Sequence, residues 1–313
     1  MHAIGNGSLF SPSRRCLTVV LLFASLAALP WCAAQAAKKD KTNPNIPPRQ
    51  REYQVVLRPK AFENRKAGVE RFIEYIEALE DSGFLKDFKF KRNSGKDHRR
   101  EAVFFDTRDG DFAKRDLVLR FRRRLDDGHD SHAELTIKHN APSEAKAWIT
   151  GLGPSIEYLQ ANGKFESKIE LDLYEPGNSK YGYSVTLHGK RFRSQLAAPE
   201  DLGDLRKVEK MLPELVKLLR LPATTPLTIT RHEYRWTRDE IDVTLAKKKC
   251  HGTLSLAYKT KQEMEDGTSA PTRIEFSWRL KQGKNEWKKK VFRDSGKLLS
   301  RLWRSTWAVS TKR

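Results

Sequence analysis

The chain has 313 residues, of which 38% are hydrophobic and 10% aromatic, which is enough for a packed core and excludes a disordered protein. Its 60 Lys and Arg against 40 Asp and Glu give a formal net charge of +20. This excess indicates an anionic partner, such as a phosphate-rich ligand, a nucleic acid or an anionic surface, without choosing among them.

Residues 1–36 have the pattern of a signal peptide. Arg14 and Arg15 precede the apolar run CLTVVLLFASLAALPW, and the small-residue sequence AQA follows it, ending at Ala36. We therefore expect cleavage near Ala36 and a periplasmic or secreted protein, by ordinary secretion or by twin-arginine export. No later segment is long and apolar enough for a transmembrane span, so we expect none.

Cleavage would remove Cys16 and Cys32 and leave Cys250 alone. One cysteine cannot form an internal disulfide, and it excludes a cysteine-rich zinc site. Three lysines precede Cys250, so a thiol of low pKa is one interpretation and a buried, unreactive cysteine is the other.

Residues 37–50 are rich in Lys, Pro and Asn and predict a flexible leader. The segment EYQVVLRP then predicts a strand, and apolar residues at helical spacing predict a helix over 65–81. A second helix is predicted over 199–220, and a basic amphipathic helix over about 285–304. Further strands are predicted at 86–92, 100–106, 116–125, 132–139, 166–175, 182–193, 226–237, 240–249, 252–261 and 271–282.

Long strands that are half apolar and half charged favour an α+β fold that is mainly β, an antiparallel barrel or sandwich decorated by helices. We expect one barrel domain over 51–282 and a basic helix in 283–313 packed on it. The segments LRFRRRLDDGHDSHAELTIKH and RHEYRWTRDEIDVTLAKKK share an order of arginine strand, polar turn and Thr-containing strand. Two pseudo-equivalent halves or chance would both explain this likeness.

Charged and apolar residues alternate along five of these strands, which separates them onto two faces. Arg120, Arg122 and Arg124 share one face, opposite Leu117, Leu119 and Phe121. For a single strand, a face solvated by bulk water is the simpler interpretation. Five such strands closed into a barrel, with apolar faces outward beneath helices, would gather cations and carboxylates in one channel. That channel would hold a polyanion and a hard divalent cation.

The segments VFFDTRDGDFAKRDLVLRFRRR, AELTIKH and SKIELDLYE resemble the CYTH family, the triphosphate tunnel metalloenzymes, over roughly residues 51–282. The family pattern is an aromatic-Phe-Asp-Thr turn, an Arg-rich strand, a Leu-Thr-x-Lys strand and a basic-x-Glu-x-acidic strand. The resemblance implies an eight-stranded antiparallel tunnel that binds triphosphate compounds with Mg²⁺ or Mn²⁺. Members hydrolyse inorganic or thiamine triphosphate, and some cyclise ATP.

The resemblance also implies roles for individual side chains. The phosphate-binding residues it implies are Arg120, Arg122, Arg124, Lys138, Lys168, Arg231 and Arg235. The metal ligands it implies are Glu52, Glu170, Asp172 and Glu275. Catalysis in such a site would be mainly electrostatic, because the metal and the cations stabilise charge while water attacks the terminal phosphorus. The sequence singles out no further catalytic residue.

The first strand departs from the family's Glu-x-Glu-x-Lys pattern, because Gln54 and Val56 follow Glu52. An amide is a weaker ligand than a carboxylate for a hard cation, and valine offers a phosphate nothing. Arg273 also precedes Glu275, where the family often has two glutamates. Metal binding is therefore expected to be weakened or lost.

Three functions stay open at this point. The first is an exported protein that binds triphosphate, polyphosphate or a similar anion in a basic tunnel, with metal-dependent hydrolysis undecided. The second is a non-catalytic polyanion-binding protein of the cell envelope. The third is binding of nucleic acid or another anion by the outer surface, which would need outward-facing cations. The alternation at 117–121 argues against that arrangement.

Overall fold

The computed structural model describes residues 50–92, 97–126, 133–147, 152–160, 163–188, 196, 198–281 and 289–309. The predicted signal peptide and the leader up to residue 49 lie outside the described residues. So do all but the first residue of the predicted DDGHDSH turn, the end of the strand predicted at 182–193 and the beginning of the predicted C-terminal helix.

The described residues form ten strands, which account for most of the regular structure. They are β1 Gln50–Leu57, β2 Lys89–Lys91, β3 Asp97–Thr107, β4 Leu117–Arg124, β5 Glu134–Ala141, β6 Lys164–Glu175, β7 Asn178–His188, β8 Leu227–Leu245, β9 Lys248–Tyr258 and β10 Arg273–Lys281. The α-helices are α1 Arg65–Asp81, α2 Glu144–Ala147, α3 Ile156–Gln160, α4 Leu205–Met211, α5 Pro213–Leu219, α6 Lys261–Asp266 and α7 Lys289–Trp303. Short 3₁₀ turns occupy Pro59–Phe62, Ala113–Arg115 and Pro199–Asp201.

Nine of the strands close into a ring in the order β8-β3-β4-β5-β7-β6-β1-β10-β9, and the pairing of β8 with β9 completes it. Strand β2 pairs with β8 outside the ring. The prediction of a mainly β barrel is confirmed, but the predicted number of eight strands was wrong. The prediction that all strands pair antiparallel was also wrong, because β1 pairs with β6 in parallel.

Two predicted elements differ from the structure for local reasons. The strands predicted at 226–237 and 240–249 are the single strand β8, because a bulge between Arg238 and Ile241 lets the chain continue through a polar segment that resembles a turn. The helix predicted at 199–220 is a 3₁₀ turn and two helices, because Pro213 begins α5 and the backbone of Leu212 leaves the helical region (φ −134°, ψ 67°).

The turn between β3 and β4 is held by Asp106. Its buried carboxylate accepts hydrogen bonds from the backbone N–H groups of Thr107 at 2.7 Å, Phe112 at 2.9 Å and Ala113 at 3.0 Å. Phe112 itself is fully buried in the core. The Phe-Asp-Thr segment of the sequence is therefore a structural turn that sets where the arginine strand β4 begins.

The apolar faces of the barrel strands point outward and are covered by helices. One cluster packs α1 and α7 against β1, β9 and β10, and a second packs α4 and α5 against β3, β4, β5 and β7. The basic helix α7 buries Val291, Leu298 and Leu302 in the first cluster, beside residues of the barrel strands. Across the described part of the chain, no helix has the length and apolar character of a membrane span.

Candidate functional site

The interior of the barrel contains a cavity of about 230 Å³ with a strongly polar wall. Its cationic lining residues are Arg100, Arg120, Arg122, Lys138, Lys168, Arg235 and Arg279. Its acidic lining residues are Glu52, Glu170, Asp239 and Glu275. Hydroxyl groups come from Thr136, Ser184, Thr186, Thr237, Thr253, Ser255 and Ser277. Because seven cations face four carboxylates, the cavity has an excess of positive charge that an anion would neutralise.

Strand β4 places its arginines as the alternation predicted. Leu117, Leu119 and Phe121 are buried in the outer core, and Arg120 and Arg122 line the cavity. Burial, together with the neighbouring Arg122 and Arg235, lowers the pKa of Arg120 well below its usual value. The wall therefore holds like charges close together in a poorly solvated space.

Several donors in this wall have no hydrogen-bond partner among the described residues. They include the buried Nε atoms of Arg120, Arg122 and Arg279 and the hydroxyl of Ser184. Ser184 pairs with Lys138 on one side and with Lys168 on the other, so it lies between two lysines across three strands. Buried polar groups in proteins are almost always paired, and unpaired donors beside cations suit the oxygens of an anion.

Two arginines of the wall, Arg122 through its Nη2 and Arg100, are already paired with carboxylates. Arg122 Nη2 donates to Glu134 Oε2 at 2.6 Å, and Arg100 Nη2 donates to Asp239 Oδ2 at 2.9 Å. Burial raises the pKa of Glu134, but Arg122 outweighs burial and the net pKa is below its usual value. These carboxylates fix the arginine side chains in place without neutralising the whole wall.

Strands β5 and β6 bring Lys138 against two carboxylates. Its Nζ lies 2.6 Å from Asp172 Oδ2 and 3.8 Å from Glu170 Oε2, and Lys168 Nζ lies 3.0 Å from Glu170 Oε1. Burial lowers the pKa of Lys138, but its attraction to Asp172 and Glu170 is stronger and the net pKa is raised. Lys138 is therefore a permanent cation in the acidic part of the wall.

The residues of strand β1 that differ from the Glu-x-Glu-x-Lys pattern lie on the face of the strand that is turned to the cavity. Glu52 and Gln54 line it, and Val56 shares their face, half-buried, while Tyr53 and Val55 lie in the core. Burial raises the pKa of Glu52 to about 7, against the lowering effect of Arg279 3.8 Å away. The charges of Glu170 and Asp172 contribute to this rise in pKa.

The remaining predicted residues lie at or near the same face. Glu275 lines the cavity and pairs with Arg273 at 3.1 Å. Arg231 lies over the ring of Phe104, 3.7 Å from its centre, and pairs with Glu233 at 3.1 Å. Glu233 also pairs with Arg235, and Arg124 contacts the ring of His98. Arg124 and Arg231 are thus not part of the cavity lining, and their predicted phosphate contacts remain predictions.

Sequence reasoning missed Arg100, Asp239 and Arg279. Arg279 follows Arg273 and Glu275 at the same two-residue spacing, so the alternation would have found it. Arg100 is followed on its face of β3 by Ala102 and Phe104, so no charged alternation marks it in the sequence. Asp239 lies at the bulge of β8, where the sequence indicates a turn rather than a strand.

The predicted metal ligands do not form a divalent-cation site as the chain stands. Among the described residues, no three His, Cys, Asp or Glu side chains converge in a way that would hold a metal ion. Asp172 and Glu170 are each paired with lysine, and Gln54 offers an amide oxygen where the family has a carboxylate. Hard cations of this type prefer several carboxylate oxygens.

Cys250 is fully buried, and burial raises the pKa of its thiol to about 12. The low-pKa interpretation was wrong, because the three preceding lysines do not solvate or stabilise the thiolate at this buried position.

Comparison with known proteins gives distant structural likenesses. No family model and no curated protein matches the chain. The barrel is similar to a Hippeastrum protein described as an adenylyl cyclase with a dominant triphosphatase activity, at 12% identity, covering 84% of this chain and 91% of that one, with a TM-score of 0.44. It is similar to a Bacillus halodurans protein described as an adenylate cyclase, at 11% identity, covering 85% and 96%, with a TM-score of 0.40. A Pyrococcus horikoshii protein is 12% identical over 80% and 85%, with a TM-score of 0.32. Likenesses this low carry no inference about the activity of this chain.

Proposed function

We propose that this protein binds triphosphate, polyphosphate or a similar phosphate-rich anion inside its barrel, and that it is a divergent member of the CYTH family. The observation that carries the proposal is the set of buried donors, Arg120 Nε, Arg122 Nε and the Ser184 hydroxyl, that have no partner among the described residues and lie in a wall with excess positive charge. Removing such groups from water without giving them partners is costly, and phosphate oxygens would supply the missing acceptors.

The face assignment favours the interior over the outer surface as the binding place. The outward faces of the barrel strands are mainly apolar and covered by helices, and β4 presents Arg120 and Arg122 to the cavity. Guanidinium groups bind phosphate through two parallel hydrogen bonds, which gives both affinity and orientation. Binding of nucleic acid along the barrel exterior is correspondingly disfavoured.

The anion can bind in this cavity without being hydrolysed there. The arginines and lysines bind and orient the anion. The described carboxylates are engaged with cations, so hydrolysis is expected to be slow or absent, in line with a binding protein. Brisk release of phosphate from triphosphate in the presence of Mn²⁺ would show instead that the protein is a metal-dependent triphosphatase.

Calorimetric titration with inorganic triphosphate tests this function. Arg120→Ala should weaken binding by about tenfold or more, because a charge-assisted pair in a poorly solvated site is lost. Arg99→Ala is the matched control, since Arg99 is exposed on β3 and removes the same charge without touching the cavity. Equal losses for the two variants, or no binding by the unmodified protein, would contradict the proposal.

We further propose that the protein is exported and cleaved near Ala36, on the strength of the Arg14-Arg15 pair, the apolar run and the AQA sequence. Mass spectrometry of the protein recovered from the periplasm or medium should give a chain that begins at residue 37. An intact N-terminus in that fraction would contradict cleavage at this site.

A further inference from the structure

We propose that the ammonium group of Lys138 serves as a built-in cation in the acidic part of the tunnel, so that the anion binds without a divalent metal. This inference rests on the proposed function for the identity of the ligand, but its central claim about Lys138 can be tested without any ligand.

The contacts of Lys138 are the first observation that supports this inference. Its Nζ is 2.6 Å from Asp172 and 3.8 Å from Glu170, the two residues of β6 that the family resemblance implies as metal ligands. An ammonium group at these distances neutralises the charge that would otherwise attract a divalent ion. A metal ion would have to displace a buried ion pair, which is a large cost.

Gly182 of β7 makes this placement of the lysine side chain feasible. A Cβ atom at Gly182 would lie 2.2 Å from Lys138 Cε and 3.0 Å from its Nζ. Any other residue at this position would therefore push the lysine away from its present path. Gly182 lies inside a regular strand, opposite Glu170 on one side and Asn140 on the other, and it needs no special backbone conformation there. Its role is to leave space for Lys138.

Strand β1 supports the same conclusion from the other side of the tunnel. The strand offers one carboxylate, Glu52, which is followed by Gln54 rather than by a second acid. Gln54 donates and accepts hydrogen bonds without charge, which suits an anion held by cations better than it suits a hard metal ion. Glu52 pairs weakly with Arg279, 3.8 Å away, so this carboxylate also faces an internal cation.

Two variants test the role of Lys138. The measurement is the affinity of each protein for Mn²⁺ in the absence of any anion, determined by electron paramagnetic resonance. Lys138→Met keeps the length of the side chain and removes its charge, and Gly182→Ala keeps the charge and displaces it. Both should bind Mn²⁺ about tenfold or more tightly than the unmodified protein, because Asp172 loses its internal cation and Glu170 keeps only Lys168. Lys168→Met is the matched control, since Lys168 contacts Glu170 but is not paired with Asp172. It should have a much smaller effect.

A measurement of triphosphate affinity distinguishes failure of this inference from failure of the proposed function on which it rests. In the unmodified protein, triphosphate affinity should be the same in EDTA and in Mn²⁺, apart from the metal bound by triphosphate itself in solution. Tight Mn²⁺ binding by the unmodified protein, or unchanged Mn²⁺ binding in both folded variants, would overturn the role of Lys138. Failure of triphosphate to bind under any condition would overturn the function instead, while the Mn²⁺ titrations would still report on Lys138. Melting temperatures identify a variant that fails to fold, and if Lys138→Met does not fold, Gly182→Ala provides the test because it keeps the lysine and only displaces its ammonium group.

A second observation, independent of the tunnel, concerns the outward face of α7. A groove of about 440 Å³ lies there, lined by Phe84, Arg293, Gly296, Lys297, Ser300, Arg301 and Arg304. Arg293, Lys297 and Arg301 recur every four residues and are exposed, so they form one row along the helix. Arg293 contacts Asp294, whereas Lys297, Arg301 and Arg304 have no ion pair among the residues that the structure describes.

We infer that this groove binds a long-chain polyphosphate or a polyanion of the same chemistry. Four cations around a groove that Gly296 and Ser300 also line complement a flexible, densely charged chain. A membrane-surface helix would present exposed apolar residues beside its lysines, but α7 turns Leu298, Leu299 and Leu302 into the core. The observations thus favour a soluble polyanion over a lipid surface.

The salt dependence of long-chain polyphosphate binding tests this surface. Lys297→Ala with Arg301→Ala should reduce the slope of log affinity against log salt concentration by about 2, because two phosphate contacts are lost. Affinity for short triphosphate, which the tunnel binds, should not change. Lys207→Ala with Lys210→Ala is the control, since these exposed lysines on α4 remove the same charge elsewhere. Equal effects of the two double variants would contradict polyphosphate binding in the groove. Binding of the protein to vesicles of anionic lipid but not to polyphosphate would also contradict it.

Discussion

Glu52 gives a prediction whose size follows from the structure. Burial in the tunnel wall raises the pKa of this carboxyl from its ordinary 4.5 to about 7. The folded protein therefore holds the proton to higher pH than the unfolded chain does, and folding stability is lost as pH rises from 4.5 to 7. The interval corresponds to about 3 kcal/mol. Replacing Glu52 by Gln, which is neutral at every pH, removes this loss.

Urea denaturation of the unmodified protein and of Glu52→Gln, in EDTA, measures the effect. The variant should be more stable by about 3 kcal/mol at pH 8 and by about 1 kcal/mol at pH 5, with almost no difference below pH 4. Other titrating groups are shared by both proteins, so their contributions cancel in the difference. A difference that is constant with pH, or a variant that is less stable at pH 8, would refute the placement of Glu52 in a poorly solvated wall.

The remaining predictions concern the two faces of β4, the first strand and the thiol. Arg122→Ala should weaken triphosphate binding with little change in melting temperature, whereas Leu119→Ala should cost about 2–5 kcal/mol of stability because Leu119 is fully buried; equal binding losses in calorimetry would mean that the faces are wrongly assigned. Gln54→Glu with Val56→Lys should raise Mn²⁺-dependent phosphate release above that of the unmodified protein, and an unchanged rate in a folded variant would contradict the role given to this strand. Cys250 should resist iodoacetamide in the native protein at pH 8 and react after denaturation, because its buried thiol has a pKa near 12; rapid native labelling would contradict its burial.

Local pattern was enough to predict the faces of the strands. Alternation placed Arg120 and Arg122 in the tunnel and Leu119 in the outer core, because the two-residue period of a strand is a property of the chain itself. The helix over 65–81 was confirmed with its bounds, since Asn64 caps it and Val69, Phe72 and Ile73 form its buried face.

Pairing between distant strands could not be read in the same way. The ninth strand of the ring and the parallel contact of β1 with β6 depend on which edges meet, and no local period encodes that. The engagement of Lys138 with Asp172 was missed for a related reason. The sequence placed both residues on inward faces, but only the register of β5, β6 and β7 and the missing side chain of Gly182 bring them into contact.

The ring also has a consequence for the order in which the protein can fold. Strand β1 is made first, yet its two neighbours are β6 and β10, and β10 is the last strand of the chain. The barrel therefore cannot close until nearly the whole polypeptide is available, and loop closure over such a separation makes folding slow. Until then the ring has unpaired strand edges, and the arginine wall faces open water rather than an enclosed space. The complete tunnel exists only after the two ends of the barrel sequence have met.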